Sequence, residues 1–226
     1  MFGDFMTDSR LQAIINFVPQ KSRVADIGTD HGYLAIELAR KNISNFIVAS
    51  DKNSGPIKAA KKNISDAGFE KIIDVRQGDG LKILRAGEVE TICIAGMGGS
   101  LICEILNAAP EILSATENLI LQPMNAAEKI FDWIEKNKFF VADTDLAEVG
   151  GIIYEIIFAV KNPEKISASF KKEKSPLLKK FFEQRLKKFL RVQSEMLKSS
   201  VAVKTEKFSQ LQKEIEVLKT EIERLE

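Results

Sequence analysis

Short apolar runs alternate with amphipathic stretches along the first two thirds of the chain. The runs are rich in β-branched residues and end near glycine, proline or an acidic residue, which is typical of buried strands. They predict five strands, over 24–27, 46–50, 72–77, 91–95 and 118–122. Between them, apolar residues recur every three or four positions, as on one face of a helix. This spacing predicts helices over 8–17, 32–40, 56–67, 101–108 and 126–136.

Five strands separated by helices indicate a mainly parallel sheet. Two further β-prone runs, 139–149 and 152–161, flank Gly150-Gly151 and predict a hairpin at the end of that sheet. The fold class that follows is α/β and Rossmann-like, with seven strands of which the closing hairpin is antiparallel.

The pattern changes after Pro163. Residues 175–198 and 203–226 are strongly helix-forming, and Ser199-Ser200 marks a turn between them. The second of these helices has an apolar seam at alternating three- and four-residue spacing, formed by Phe208, Leu211, Ile215, Leu218, Ile222 and Leu225. The first has a rougher stripe, through Leu178, Phe182, Leu186, Phe189, Val192 or Gln193, and Met196. We predict one domain over 1–163 and a C-terminal coiled-coil helical hairpin over 164–226, in a monomer. A coiled coil between two chains is the alternative.

The net charge of +1 conceals an asymmetry. Residues 161–207 hold 14 Lys or Arg and 5 Glu, whereas residues 1–160 hold 16 Lys or Arg and 22 acidic residues. The basic stretch indicates either a contact with a polyanion or a solvated helix face. No run is long and apolar enough to span a membrane, and no signal peptide is apparent, so we expect a cytoplasmic protein without a membrane partner. Two cysteines and one histidine make no metal pattern.

The first predicted strand runs into a loop with the sequence V-A-D-I-G-T-D-H-G-Y-L over 24–34. Gly28 and Gly32 allow the backbone to approach a ligand closely, and the helix that follows offers free N–H groups to a carboxylate. Asp30 stands where dinucleotide-binding loops have glycine, and its charge would repel a pyrophosphate. Asp26 and Asp30 are instead placed to attract a cationic ligand. Taken alone, the loop also fits an ordinary turn.

Three more strand ends carry matching chemistry. Asp51 ends the second strand, where an acid accepts hydrogen bonds from ribose hydroxyls. Asp79 follows the third strand, where it would accept from an adenine amine, and Gly96-Met97-Gly98-Gly99 follows the fourth. Each feature alone fits a turn. Because the carboxyl ends of parallel strands share one edge of a sheet, the four together predict an S-adenosylmethionine site.

His31 is the sole histidine of the chain and lies in the first loop. A structural role and a role toward cofactor or substrate, as an orienting group or an acid or base, are both open. No Pro-Pro-aromatic motif follows the fourth strand, which argues against methylation of an exocyclic amine. No phosphate-binding P-loop is present either, which argues against an NTPase.

Three segments together resemble one specific family. The segments A-D-I-G-T-D-H-G-Y-L, I-A-G-M-G-G-S-L-I and L-I-L-Q-P-M, in this order, resemble the bacterial tRNA adenine-22 N1-methyltransferases, the TrmK family. The early S-R-L-Q-A-I helix and the C-terminal helices fit as well, so the resemblance covers essentially the whole chain. It implies a class I methyltransferase fold and methyl transfer from S-adenosylmethionine to N1 of an adenine in the D-arm region of tRNA.

The resemblance also implies roles for individual residues. The cofactor contacts would be Asp26, Gly28, Asp30, His31, Gly32, Asp51, Asn53, Asp79, Gly80, Gly96 and Met97. The target contacts would be Gly98, Gly99, Gln122, Pro123 and Asn125, whereas Met124 stands where many relatives have Asn. The contacts to tRNA phosphates would be Lys171, Lys172, Lys174, Lys179, Lys180, Arg185, Lys187, Lys188 and Arg191.

Adenine N1 has a free lone pair, so no proton has to leave it before attack. What helps the reaction is positioning and a carboxylate near the cationic product. The catalytic candidates are Asp30 and His31, with Asp8 or Asp4 as alternatives for the carboxylate. N1 lies on the Watson–Crick edge, so we expect the base to be flipped out. Two other hypotheses stay open: a methyltransferase acting on another RNA, a small molecule or a protein, and a non-catalytic cofactor-binding protein whose coiled coil recruits partners.

Overall fold

A computed structural model describes residues 8–165 and 175–225. The chain divides into two compact units, residues 1–172 and 173–226. The domain boundary that the sequence predicts, between 163 and 164, stays a prediction, because residues 166–174 lie outside the described part.

The first unit contains a seven-stranded sheet in the order β3-β2-β1-β4-β5-β7-β6. The strands are β1 (Val24–Ile27), β2 (Ile47–Asp51), β3 (Ile73–Gln77), β4 (Thr91–Met97), β5 (Asn118–Pro123), β6 (Phe140–Val149) and β7 (Ile152–Val160). The first five strands run parallel, and β7 pairs antiparallel with both β5 and β6. The predicted α/β fold with an antiparallel closing hairpin is therefore confirmed.

Helices cover both faces of this sheet. They are α1 (Ser9–Phe17), α2 (Tyr33–Arg40), α3 (Ser54–Ala67), α4 (Gly99–Asn107), α5 (Pro110–Ala115) and α6 (Ala127–Lys136). Apolar residues of the first three helices form one core cluster with the sheet, and those of the last three form a second cluster. The sheet thus lies between two helical layers, each closed by burial of apolar side chains.

The order of the strands places a topological switch point between β1 and β4. The chain proceeds from β1 to β2 on one side and then returns to β4 on the other side of β1. In open parallel sheets, ligands bind at the carboxyl ends of the strands at such a point. A site is therefore expected where β1 and β4 end.

Several boundaries differ from the prediction by one or two residues, and the difference around Gly96 has a physical reason. Strand β4 continues beyond Ala95 to Met97, because Met97 still pairs with Pro123 of β5 after a register shift at Gly96, whose φ is +76°. As a result α4 begins at Gly99 and not at Leu101. Helix α5 was not predicted at all, because six residues are too few to show a helical period; a proline at its first position starts it.

The second unit consists of α7 (Leu178–Met196) and α8 (Glu206–Glu223), which contact each other along their lengths. Of the predicted seam of α8, Phe208, Leu211, Ile215 and Leu218 are buried. Thr205 caps α8 by accepting a hydrogen bond from the Phe208 N–H (3.3 Å). The predicted pair of helices is thus present. No helix among the described residues is both long and apolar enough to cross a membrane.

Candidate functional site

A cavity of about 780 Å³ lies where β1 and β4 end, within the size range of small-molecule sites. The end of β1 and the loop after it contribute Asp26, Gly28 and Asp30 to its lining, the end of β4 contributes Ala95, Gly96 and Met97, and β2 contributes Asp51. Helices α1 and α2 cover it with Asp8, Arg10, Leu11, Ile14, Tyr33, Leu34, Ile36 and Glu37, and Met124 completes the wall.

Among the acids that line this cavity, Asp26 has the pKa that departs most from its usual value. Asp26 is 5% exposed, and its Oδ2 accepts a hydrogen bond from the Thr29 hydroxyl at 2.6 Å. Burial raises the pKa of Asp26 to about 6; the nearby charge of Asp30 adds to this, whereas the Thr29 hydrogen bond opposes it. A buried anion of this kind is strongly stabilised by a ligand that brings a positive charge, such as an ammonium group.

In the loop after β1, glycine residues leave the backbone accessible where a ligand would bind. Gly28 and Gly32 have φ values of +78° and +76°, a conformation that glycine adopts without steric cost. The Gly28 and Thr29 N–H groups both donate to the Ser50 carbonyl, which fixes the loop against β2. Gly32 is the N-cap of α2 and offers no side chain, so the first N–H groups of that helix can receive a ligand carboxylate.

Asp30 and His31 lie at the rim of the cavity and not in its depth. The Asp30 side chain is 82% exposed, and its Oδ1 lies 3.2 Å from the His31 Nε2. The His31 ring stacks on Tyr33, with 5.5 Å between ring centroids. His31 itself has a φ of +57°, held in part by a hydrogen bond from the Asn63 amide to its carbonyl. Of this pair, Asp30 lines the cavity and His31 does not.

Of the residues predicted to hold a nucleoside, Asp79 and Gly80 do not line the large cavity. Asp51 lines both the large cavity and a second one of about 80 Å³, which Asp79 and Gly80 also line. One Asp51 oxygen accepts the Asn53 N–H at 2.6 Å, so Asn53 orients this acid from outside both cavities. The Lys82 ammonium, 2.8 Å from Asp79, lowers the pKa of that carboxyl and keeps it ionised.

Gln122 connects the loop after β4 to the N-terminal helix. Its side chain is fully buried, and its Oε1 accepts hydrogen bonds from the Gly96 N–H (3.1 Å) and from Arg10 Nη1 (3.3 Å). The Arg10 guanidinium also lies over the ring of Tyr154, 5.5 Å from its centroid. Gln122 therefore does not line the cavity but positions Gly96 and Arg10, which do.

The loops after β4 and β5 interlock. The Gly99 N–H donates to the Asn125 carbonyl at 3.0 Å, and the Met124 N–H donates to the Met97 carbonyl at 2.8 Å. Gly99 is buried against the backbone of 125–126, which leaves no room for a side chain, and its contact with the target stays a prediction. Gly98 faces the exposed Asn125 side chain, whereas Pro123 is buried.

Known proteins resemble this chain in both sequence and fold. A family model described as a methyltransferase domain matches residues 7–157. The tRNA (adenine(22)-N(1))-methyltransferase of Bacillus subtilis is 36% identical over 157 residues, which is 70% of this chain and 66% of the length of that protein. The crystal structure of the B. subtilis m1A22 tRNA methyltransferase TrmK has a TM-score of 0.81 at 31% identity, covering 95% of this chain and 98% of that one.

The chain belongs to the TrmK family of methyltransferases. A further relative of this kind, Streptococcus pneumoniae Sp1610, was solved in complex with S-adenosyl-L-methionine; it has a TM-score of 0.81 at 30% identity, covering 96% of this chain and all of that one. The methyltransferase fold predicted from the sequence is thereby confirmed.

Sequence reasoning missed several residues of this TrmK-family site. Arg10, Tyr33, Glu37 and Met124 line the large cavity, although none was assigned a role there. Arg10 and Tyr33 do stand inside the motifs that carried the family resemblance. Glu37 carries a weaker signal in the sequence, namely that it lies one helical turn after Tyr33; the structure shows it buried in an ion pair with Arg40.

The basic residues predicted to contact tRNA fall into two groups. Lys171, Lys172 and Lys174 lie outside the described residues. On α7, Lys180, Lys187, Lys188 and Arg191 are exposed, Lys179 is half-buried, and Arg185 stacks over the Phe189 ring at 5.4 Å. Lys187, Lys188 and Arg191 line a shallow groove of about 770 Å³ on the second unit.

The cysteines are separate from the ligand chemistry. Cys93 is buried beside Asp26 in the sheet, and burial raises the pKa of its thiol well above the usual value. Cys103 is half-buried. Within 8–165 and 175–225, no group of three or more His, Cys, Asp or Glu residues could hold a metal ion.

Proposed function

We propose that this protein transfers the methyl group of S-adenosylmethionine to N1 of adenine 22 in tRNA. The observation that carries the proposal is the buried carboxylate of Asp26, which favours a positively charged ligand. It lies beside a glycine loop and a large cavity at the switch point of the sheet. The substrate is supported by the relationship to the B. subtilis enzyme. That this protein is monomeric and cytoplasmic remains a prediction.

The residues present fit the cofactor. Asp26 would pair with its ammonium group, and the N–H groups at the N-terminus of α2 would bind its carboxylate. Asp51 and Asp79 would accept hydrogen bonds from its ribose and adenine. When bound, S-adenosylmethionine supplies an electrophilic methyl group on a sulfonium.

The protein's own part in the reaction is positioning. Gln122 holds the Gly96 turn and Arg10 together, so the loop that faces the target is fixed before the base arrives. Because adenine N1 needs no base to remove a proton, the remaining task is to stabilise a cationic product.

Of the acids that line the cavity, Asp8 and Asp30 remain for this task, because Asp26 and Asp51 are assigned to the cofactor and Glu37 is paired with Arg40. Asp8 lines it, but its Oδ1 accepts the Leu11 N–H at 2.7 Å and its Oδ2 lies 3.8 Å from Arg10. Asp30 lines it from the rim, next to His31. We assign the electrostatic role to Asp30, with His31 as its positioning residue, because the Asp8 charge is already balanced by Arg10.

The function is tested with unmodified tRNA that has either adenine or another base at position 22. Labelled methyl groups are expected only on the adenine-containing tRNA, and mass spectrometry of the digested nucleosides is expected to show 1-methyladenosine. Transfer that continues unchanged after replacement of this base would show that another position or substrate is methylated. Cofactor binding without transfer to any RNA would instead favour the non-catalytic alternative.

Cofactor affinity is expected to depend on pH through Asp26. Its pKa of about 6 in the free protein means that the carboxylate becomes protonated as the pH falls below 6. Binding of an ammonium requires the ionised form, so Kd for S-adenosylhomocysteine is expected to rise by about tenfold per pH unit below 6 and to stay flat above it. Isothermal titration from pH 5 to pH 8 measures this, and a constant Kd over that range contradicts the role of Asp26.

The exposed cations of α7 are expected to set the salt dependence of tRNA binding. Removing Lys187, Lys188 and Arg191 together by alanine substitution is expected to weaken tRNA binding, with a loss of about 0.7–0.9 in the slope of log K against log salt for each phosphate contact removed. The matched control is the triple alanine variant at Lys207, Lys213 and Lys219, which removes equal charge from α8. Equal effects of the two variants would assign the result to net charge and not to the α7 groove.

A further inference from the structure

Ser50 has a buried hydroxyl that the fold does not use. The residue is 1% exposed, and among the described residues its Oγ has no hydrogen-bond partner. Its backbone is fully engaged, since its carbonyl accepts from both Gly28 and Thr29. A buried hydroxyl without a partner is costly, so a hydroxyl of this kind that borders a cavity is a candidate for a hydrogen bond to a ligand there.

The position of Ser50 shows where that ligand would lie. Ser50 lines the 80 Å³ cavity, together with residues of the loops after β1, β3 and β4. Along β2, Val48 contributes to the core on the α4 face, and strand alternation puts Ser50 on that same face. Leu101 and Ile105 of α4 form the opposite wall. The hydroxyl thus lies on the floor of this slot, between the apolar wall of α4 and the charged residues Asp51 and Asp79.

Met97 separates this slot from the large cavity. It lines both cavities, and its Cε occupies the place that a β-carbon on Gly28 would need. A ligand that extends from Asp26 to Asp79 has to cross this position. Because methionine is unbranched and has three rotatable bonds, its side chain can move aside at low cost.

We propose that Ser50 is a cofactor-binding residue whose hydroxyl hydrogen-bonds the nucleoside half of the cofactor, and that Met97 covers this half of the site until the nucleoside displaces it. The proposal rests on the proposed function for the identity of the cofactor. It assigns the nucleoside to the small slot and the amino-acid half to the large cavity, which makes the two halves separable by experiment.

The test compares Ser50→Ala with a control, Ser44→Ala. Ser44 is equally buried, but its hydroxyl donates to the Phe46 carbonyl at 2.9 Å. Titrations with S-adenosylhomocysteine, adenosine and methionine, and thermal melts of the free protein, are made for each variant. For Ser50→Ala we expect Kd to rise about 2- to 10-fold for adenosine and S-adenosylhomocysteine, with no change for methionine.

The melts distinguish a ligand-binding role from a structural one. Removing an unpartnered hydroxyl is expected to raise the Tm of the free Ser50→Ala protein by about 2–4 °C, whereas Ser44→Ala is expected to lower it. A lowered Tm in Ser50→Ala, or wild-type affinity for adenosine, would overturn the proposal. If the wild-type protein binds none of the three ligands, the proposed function fails instead.

Met97→Ala tests the covering role by itself. It is expected to tighten adenosine binding several-fold, because less side chain has to be displaced, and to leave methionine binding unchanged. An equal change for both ligands would show that Met97 does not separate the two halves of the site.

Discussion

Asp26→Ala is expected to raise the Kd for S-adenosylhomocysteine by about 30- to several-thousand-fold while the protein stays folded. The carboxylate is buried at the end of β1, where its attraction to an ammonium is weakly screened. Truncating one partner of a buried charged pair costs about 2–5 kcal/mol, which corresponds to about 30- to several-thousand-fold in affinity. Isothermal titration measures the loss, and circular dichroism confirms the fold.

Although Asp26→Ala is expected to weaken cofactor binding, it is expected to raise the stability of the ligand-free protein at pH 7. The pKa of Asp26 is about 6 in the folded protein, above its unfolded value of 3.8, so the folded state binds the extra proton between these values. Stability from this group is therefore greatest at low pH and declines as the pH rises from about 4 to 6. At pH 7 the ionised carboxylate is buried at a cost, and its removal is expected to stabilise the free protein.

Asp26→Asn is the matched control, because it preserves shape and can still accept the Thr29 hydrogen bond while carrying no charge. We expect it to lose most of the cofactor affinity and to abolish the decline of stability between pH 4 and 6. Near-normal affinity in Asp26→Asn would mean that shape and hydrogen bonding, and not charge, hold the cofactor. Normal affinity in Asp26→Ala would place the cofactor elsewhere.

Most of the fold was predictable because burial imposes periods that the sequence displays. Strands β4, β5 and β7 are largely apolar runs bounded by turn residues, and the buried seam of α8 repeats every three or four residues. Helix α5 and the bend at Gly96 were not predictable, because the former is too short to show a period and the latter depends on pairing with β5.

The candidate site was predictable to the extent that its chemistry lies at strand ends. Asp26, Asp51 and Asp79 follow from that rule alone. The hydrogen bond between Arg10 and Gln122 joins residues 112 positions apart, and no local pattern marks it. Ser50 was missed for a different reason: inside an apolar strand a single serine looks like a tolerated polar residue, and only the cavity beside it gives it a meaning.

Gly99 is the position where the structure changes the interpretation of a motif most. In the sequence, Gly96-Met97-Gly98-Gly99 suggests a loop that meets the target. In the structure, a β-carbon on Gly99 would overlap the Ala126 carbonyl oxygen and would lie 2.9 Å from the Ala126 carbonyl carbon and 3.0 Å from the Asn125 oxygen. These are backbone atoms, so no rotamer change relieves the overlap.

Gly99→Ala is therefore expected to force the loops after β4 and β5 apart. Overpacking of a tight site costs about 1–3 kcal/mol, and a clash with backbone belongs at the upper end, so we expect a loss of about 3 kcal/mol and a Tm lowered by about 6–12 °C. Methyl transfer is expected to fall further, by about 100-fold, because displacement of a positioning loop by 1 Å is enough for such a loss.

Gly98→Ala separates this steric effect from a general need for glycine in the loop. A β-carbon there would lie 3.1 Å from Asn125 Oδ1, the end of an exposed side chain that can move away. We expect a cost of about 1 kcal/mol, mainly because alanine is a poorer N-cap for α4 than glycine. Similar losses in the two variants would contradict the packing argument. A stable Gly99→Ala protein with normal melting but no transfer would instead restore Gly99 as a target contact, since only a lost contact could then explain the inactivity.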